Sequence, residues 1–209
     1  LYTMAHRRFF EDIVNLKYDD AFERVLRESI PEEWSTRVSG VWLAATAPWH
    51  RYPDQGFKIH LSGKVAQAAD IIRRAAPVCC SHDTPFKTAR DPVMLSIMAS
   101  KHYPRGNAGK LMTVYPADQD AFMTLIEALY EATKGFDGPY ILSDRRYKDD
   151  GIVYYRYGEM LSRPQLTIDG STQSHLTAPD GTPYKEERLP YYKLPPWVEE
   201  PFARAPSVE

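Results

Sequence analysis

Lys58 and His60 stand two residues apart in the alternating segment GFKIHLS, residues 56–62, where Phe57, Ile59 and Leu61 take the intervening positions. A strand turns successive side chains to opposite faces, so this lysine and histidine share the polar face of a half-buried strand. Lys87 follows Pro85-Phe86 on a second short candidate strand. Lys101, Arg105 and Lys110 bracket the glycine-containing loop KHYPRGNAG, and Arg145 and Arg146 close a third apolar run. Arg156 sits between Tyr155 and Tyr157. Cations that converge from strands and strand ends, without acids at comparable positions, suit a phosphate or carboxylate ligand. A lysine and a histidine among them are groups that can move protons.

Each of these residues also has an ordinary reading. Lys58 and His60 fit a solvent-facing polar stripe, and Lys87 fits a surface lysine. Residues 101–110 fit a flexible charged turn, against the sharper reading of an anion-binding nest. Arg145 and Arg146 fit a solvated loop, with Asp144, Asp149 and Asp150 close by in sequence. Arg156, buried among tyrosines, fits a structural ion pair. His50, His82, His102 and His175 lack metal-ligand spacing to a second His, Cys or acid. The chain has no P-loop, no GxGxxG and no nucleophile elbow.

The elements that must position these groups follow from hydrophobic periodicity. Helices are expected over 18–30, 64–76 and 92–100, and from an Asp118 cap to Gly135. Strands are expected over 36–47, 56–62, 85–89, 110–115, 139–142 and 152–157, the last two joined by the charged loop SDRRYKDDG. Prolines crowd the last stretch, so residues 170–209 read as an extended arm running into a linker, and residues 1–169 as the domain core. The fold class is α+β: a mixed, mainly antiparallel sheet with flanking helices and a Pro-rich C-terminal arm.

Composition narrows the classes. The 209 residues carry a net charge of −2, which argues against a nucleic-acid or anionic-membrane partner, so any basic site is local. The two cysteines, Cys79 and Cys80, are adjacent, which excludes a disulfide scaffold and fits a reducing cytoplasm. No apolar run approaches a membrane span. Beginning at Leu1 suggests an excised piece or a tag remnant.

The ordered strings GFKIHLS, PFK, SKHYPRGNAGKLMTVYPAD, GPYILSDRRY and YYRYG, in a match that runs from about residue 56 to 202, resemble the amino-terminal lyase domain of class III and class IV lanthipeptide synthetases. The tail PPWVEEPF resembles that domain's exit toward a kinase, which this chain does not contain, and residues 1–55 match only loosely. The chemistry of that domain is in turn similar to that of bacterial effector phosphothreonine lyases, which use a K-x-H pair, a second lysine and several arginines. The resemblance implies catalytic roles for Lys58, His60 and Lys87 and phosphate binding by Arg146 and Arg156, with Arg105, Lys110 and Lys101 in the matching loop. That loop departs from the family pattern at His102 and Pro104.

The implied reaction is β-elimination of phosphate from phosphoserine or phosphothreonine in a precursor peptide, leaving dehydroalanine or dehydrobutyrine. Lys87 is expected as base, Lys58 as enolate stabiliser and His60 as general acid, with no metal or organic cofactor. Crowding by Lys58, Arg146 and Arg156 is expected to make Lys87 a better base. The implied partners are the precursor's leader and core and the kinase and cyclase domains of a parent synthetase. Two other readings stay open: a phosphopeptide-binding module without chemistry, and a nucleic-acid binder using the basic loop and tyrosines.

Overall fold

The computed structural model describes residues 2–6, 9–12, 17–101, 103–161, 165–166, 172–187 and 189–202; His102 and Pro206 lie outside them. In chain order the elements are β1 (Tyr2–His6), β2 (Phe9–Asp12), α1 (Ala21–Ser29), β3 (Ser35–Ser39), β4 (Trp42–Thr46), β5 (Gln55–Leu61), α2 (Val65–Ser81), β6 (Phe86–Ala89) and α3 (Pro92–Met98). There follow β7 (Met112–Val114), α4 (Gln119–Ala132), β8 (Arg145–Arg146), β9 (Val153–Glu159), β10 (Gln165–Leu166), β11 (Thr172–Gln173), β12 (His175–Thr177) and β13 (Pro183–Lys185). Seven strands form the central sheet in the order β3-β4-β6-β7-β5-β9-β8, and every pairing within it is antiparallel. The α+β class holds, and the sheet is more uniform than the mixed one expected.

One face of this sheet carries the core. Phe57, Ile59 and Leu61 of β5, Leu43 of β4, Met112 and Val114 of β7 and Tyr155 of β9 pack with Ile71, Ile72 and Ala75 of α2 and Phe122, Ile126 and Leu129 of α4. Phe57 stacks on Phe122 with ring centroids 4.9 Å apart. Burying side chains of this size is worth about 1.5–3 kcal/mol each, which fixes the register of β5. A slip of one residue would turn Phe57, Ile59 and Leu61 outward. The same constraint turns Lys58 and His60 to the opposite face.

Three boundaries differ from expectation. Residues 36–47 form a hairpin, β3–β4, because Gly40 takes φ of +59° and turns the chain between Ser39 and Trp42. Helix α2 continues past Pro77 to Ser81. The proline removes one helical hydrogen bond, but burial of Ala76 and Cys79 beside it outweighs the break. Residues 139–142 are not a strand; Asp144 N–H donates to the Ile141 carbonyl in a turn at 3.2 Å, and pairing with β9 begins only at Arg145. Asp118 caps α4 as expected, accepting from Ala121 N–H at 2.8 Å.

The stretch read as an arm is folded onto the body where it is described. The β12–β13 hairpin is tied to β5 by Gln55, which bonds both the N–H and the carbonyl of Thr177. Tyr192, Leu194, Val198 and Phe202 pack against the core. Glu200 accepts from Arg145 at 2.5 Å, from Tyr192 at 3.1 Å and from Tyr155. No helix among the described residues is long and apolar enough to cross a membrane.

Candidate active site

Strand register assembles the site. Lys87 of β6 pairs with Thr113 of β7, Thr113 with His60 of β5, His60 with Tyr154 of β9, and Tyr154 with Arg146 of β8. Residues paired across antiparallel strands share a face, so these five side chains form one row on the face away from α2 and α4. Two positions along, Lys58 pairs with Arg156 on the same face. Lys58, His60, Lys87, Lys110 and Arg156 line one open cleft, walled by Trp42 and Tyr115 and closed on one side by Glu186.

His60 is the most constrained of these groups. It is 3% exposed, and its Nδ1 bonds the Asp144 carboxylate. Asp144 also accepts from Ser143 Oγ at 2.7 Å and lies 3.3 Å from Lys110 Nζ. Burial drives the His60 pKa down, as do the cations Lys110 and Lys58, and the opposing pull of Asp144 does not restore it. Burial alone would raise Asp144, but His60, Lys110 and Arg156 together hold its carboxyl well below the usual range. With Lys110 alongside, Asp144 stays ionised when the imidazole is neutral. Nδ1 then carries the hydrogen toward Asp144, and Nε2 is the nitrogen left for the cleft.

Lys87 Nζ stands 4.5 Å from the Trp42 ring centroid and 5.6 Å from that of Tyr115, so two aromatic faces direct it. Lys58 Nζ donates to the Glu159 carbonyl at 2.6 Å. Arg156 Nη2 donates to Glu186 Oε1 at 2.9 Å, while Glu186 Oε2 accepts from Glu159 N–H at 3.1 Å. Gly158 makes this approach possible, since a Cβ there would collide with Glu186 Oε1. The cleft therefore holds four cations, Lys58, Lys87, Lys110 and Arg156, against two carboxylates, Asp144 and Glu186. With His60 neutral, 4 − 2 leaves two positive charges, which matches a phosphate dianion.

The structure does not bring every expected residue into the cleft. Arg146 lies at the far end of the row, with Nε donating to the Gly151 carbonyl at 2.7 Å and its guanidinium 5.9 Å from the Tyr154 ring. Four strand spacings separate it from Lys87, roughly 19 Å at the backbone, so it does not crowd that amine. Lys101 and Arg105 line a neighbouring recess with Tyr140 and Leu142. Lys110 is in the cleft, but it is 5% exposed and faces Asp144.

Asp144 and Glu186 were not singled out from sequence. Asp144 sits in a run of charges that reads as solvated, yet its N–H closes a turn on the carbonyl of buried Ile141 and it is itself 2% exposed. Glu186 lies 30 residues beyond Arg156 in a lysine- and glutamate-rich segment that carries no signal of burial. The structural ion pair considered for Arg156 does exist, and it lies inside the cleft. Among the described residues no group of three His, Cys, Asp or Glu side chains is arranged to hold a metal ion.

Several known proteins resemble this chain. The Shigella flexneri effector OspF, described as a phosphothreonine lyase, superposes with a TM-score of 0.48 at 18% identity, over 72% of this chain and 80% of that one. The Chromobacterium violaceum phosphothreonine lyase effector VirA gives a TM-score of 0.46 at 20% identity, over 61% and 66%. A probable SapB synthase of Streptomyces coelicolor is 35% identical over 180 residues, 86% of this chain but 19% of that protein. The chain thus spans about a fifth of that relative's length. The family described as "RamC, N-terminal domain" matches residues 22–209, and the chain belongs to it.

Proposed function

We propose that this domain is a phosphoserine/phosphothreonine lyase acting on a phosphorylated lanthipeptide precursor. The observation that carries the reading is the convergence of Lys58, His60, Lys87 and Arg156 in one cleft, with His60 backed by a buried carboxylate. β-Elimination needs a base at Cα, a positive neighbour for the enolate and a proton for the departing oxygen. Neutral Lys87 takes the Cα proton. Electrons move to the carbonyl oxygen, where Lys58 stabilises the enolate. The Cα=Cβ bond forms as the Cβ–O bond breaks, and His60 Nε2–H protonates the bridging oxygen. Arg156 and Lys110 neutralise the phosphate. The products are a dehydroamino acid and inorganic phosphate; Lys87 leaves protonated and His60 neutral, so one proton passes back through solvent.

Family membership, the relative named for SapB synthesis and the sequence resemblance all support a precursor peptide as substrate and a kinase as the source of its phosphate. A kinase and a cyclase domain are the expected partners on a longer chain. The test is incubation of the domain with a phosphoserine peptide in the presence of EDTA. Stoichiometric phosphate release with loss of one phosphoric acid from the peptide supports the reading. Release of phosphate with recovery of serine, or dependence on an added divalent ion, overturns it.

A further inference from the structure

We infer that an apolar recess beside Lys87 is a subsite for the side chain of one residue adjacent to the phosphorylated one. The recess is lined by Ala44, Tyr52, Tyr115, Met160 and Leu161, and it shares Lys87 and Tyr115 with the cleft. Tyr52 and Tyr115 meet edge to face with centroids 5.4 Å apart, which sets one wall. Met160 N–H is held by the Asp54 carbonyl at 2.8 Å, and its methyl group lies where a Cβ at position 56 would touch it, 3.0 Å away. These contacts fix the opposite wall against the end of β5.

The occupant follows from the direction of the chemistry, so the inference rests on Lys87 being the base. Lys87 must approach the Cα hydrogen of the phosphorylated residue. The phosphate must point the other way, toward His60, Lys110 and Arg156. What lies on the far side of Lys87 therefore faces the peptide backbone beside that Cα. The next Cα along the chain is 3.8 Å away, within reach of a cavity that borders the amine. Apolar walls with no charge except Lys87 select an aliphatic or aromatic side chain and disfavour an acid or a hydrated polar group. One recess serves one neighbour, so the preference falls on only one of the two flanking positions. An apolar group seated there also excludes water from the amine, which needs to be neutral to act.

Three phosphoserine peptides test this: serine on both sides, leucine before, and leucine after. Initial rates of dehydroalanine formation give kcat/KM, and binding to the Lys87→Ala protein gives Kd without turnover. One leucine peptide should exceed the serine peptide by about tenfold in kcat/KM, and the other should not. Leu161→Asp should reduce that ratio to near one. The peptide comparison needs only the unaltered protein, so it decides the matter even if the variant fails to fold. Equal kcat/KM for all three peptides, or a preference that survives Leu161→Asp, overturns the subsite and leaves the lyase reading intact. A leucine preference in Kd without elimination from any peptide supports the subsite and overturns the lyase reading.

Discussion

The two faces of the seven-stranded sheet are built from alternate residues of the same strands and do opposite work. On β5, Phe57, Ile59 and Leu61 enter the core beneath α2 and α4, while Lys58 and His60 face a cleft bordered by Tyr103, Asn107 and Glu186. On β9, Val153 and Tyr155 face the core while Tyr154 and Arg156 face the cleft side. The apolar face supplies the stability that keeps four cations together on the other. The cleft is not a plain basic patch, however. Asp144 and Glu186 are buried within it, and each holds a specific cation at a hydrogen-bond or ion-pair distance. Stability resides mainly in one face and poise in the other, so most substitutions on the two should separate.

The largest expected effect on the cleft face is at Lys87. Lys87→Ala removes the base and should lower turnover toward the upper end of about 10²–10⁴-fold, with phosphopeptide Kd within a few-fold and the thermal midpoint little changed. Stopped assays of phosphate release together with a binding titration measure both. A core-face change such as Ile59→Ala should do the reverse, lowering stability by about 2–5 kcal/mol and disturbing the cleft only through unfolding. Rapid turnover by Lys87→Ala at saturating substrate would break the assignment.

Asp144 joins the two properties. Asp144→Asn leaves Lys110 buried without its anion and removes the carboxylate that sets the His60 tautomer. Breaking a buried pair costs about 3–5 kcal/mol, and turnover should fall by about 10²-fold. Arg156→Ala should weaken phosphopeptide binding by roughly 10–150-fold, the value of a charge-assisted contact worth about 1.5–3 kcal/mol. Arg146→Ala should have a much smaller effect on Kd, since Arg146 is bonded to the Gly151 carbonyl outside the cleft. Equal losses for the two arginines would mean that the substrate extends along the whole row to β8.

What was legible in the sequence follows the same division. Alternation in GFKIHLS showed both faces of β5, because period-two burial leaves its mark in residue type. The long helices were legible for the same reason. The continuation of α2 through Pro77 was not, since it depends on tertiary packing that overrides a local preference, and the turn at Gly40 was passed over although glycine favours its positive φ. Lys58, His60, Lys87, Lys110 and Arg156 were found as cations on strands or in the loop. Their partners were not: Asp144 looks like any acid in a charged loop, and Glu186 reaches Arg156 only because the β12–β13 hairpin folds back against β9. Trp42 and Tyr115, which flank the Lys87 amine, were not singled out either. Lys101, Arg105 and Arg146 have the residue type but not the address, because strand order cannot be read from spacing.

Acid stability should report the buried dyad. The folded pKa of His60 is lowered, so its contribution is fully present above the unfolded value of about 6.5 and is lost as pH falls below it. Asp144 is also lowered, so its contribution is present above about 3.9 and is lost as pH falls further. The thermal midpoint should therefore decline in two stages on acidification, starting near pH 6.5. His60→Gln should remove the upper stage and keep the lower. A midpoint that stays flat down to about pH 4.5 would show that His60 is protonated in the folded protein.

The smallest expected effect is the most specific to the cleft. Before substrate binds, His60 is held neutral by burial and by Lys110 and Lys58. Its role as acid requires a proton, and a phosphate dianion beside it supplies the negative charge that stabilises imidazolium. Above the second phosphate pKa of about 6 the substrate arrives as the dianion. Binding should then draw a proton from solvent, up to about one per site. Calorimetric titration of a phosphopeptide into Lys87→Ala protein, in buffers of differing ionisation enthalpy at about pH 7.5, measures that number as the slope of observed heat against buffer enthalpy. The slope should be positive for Lys87→Ala and should approach zero once His60→Gln is added. If the uptake is unchanged without His60, the proton goes to the phosphate or to another group, and the departing oxygen has a different donor. If no proton is taken up in either protein, the cleft binds the dianion by charge alone, and the proton for the leaving group must enter only after Cα is deprotonated.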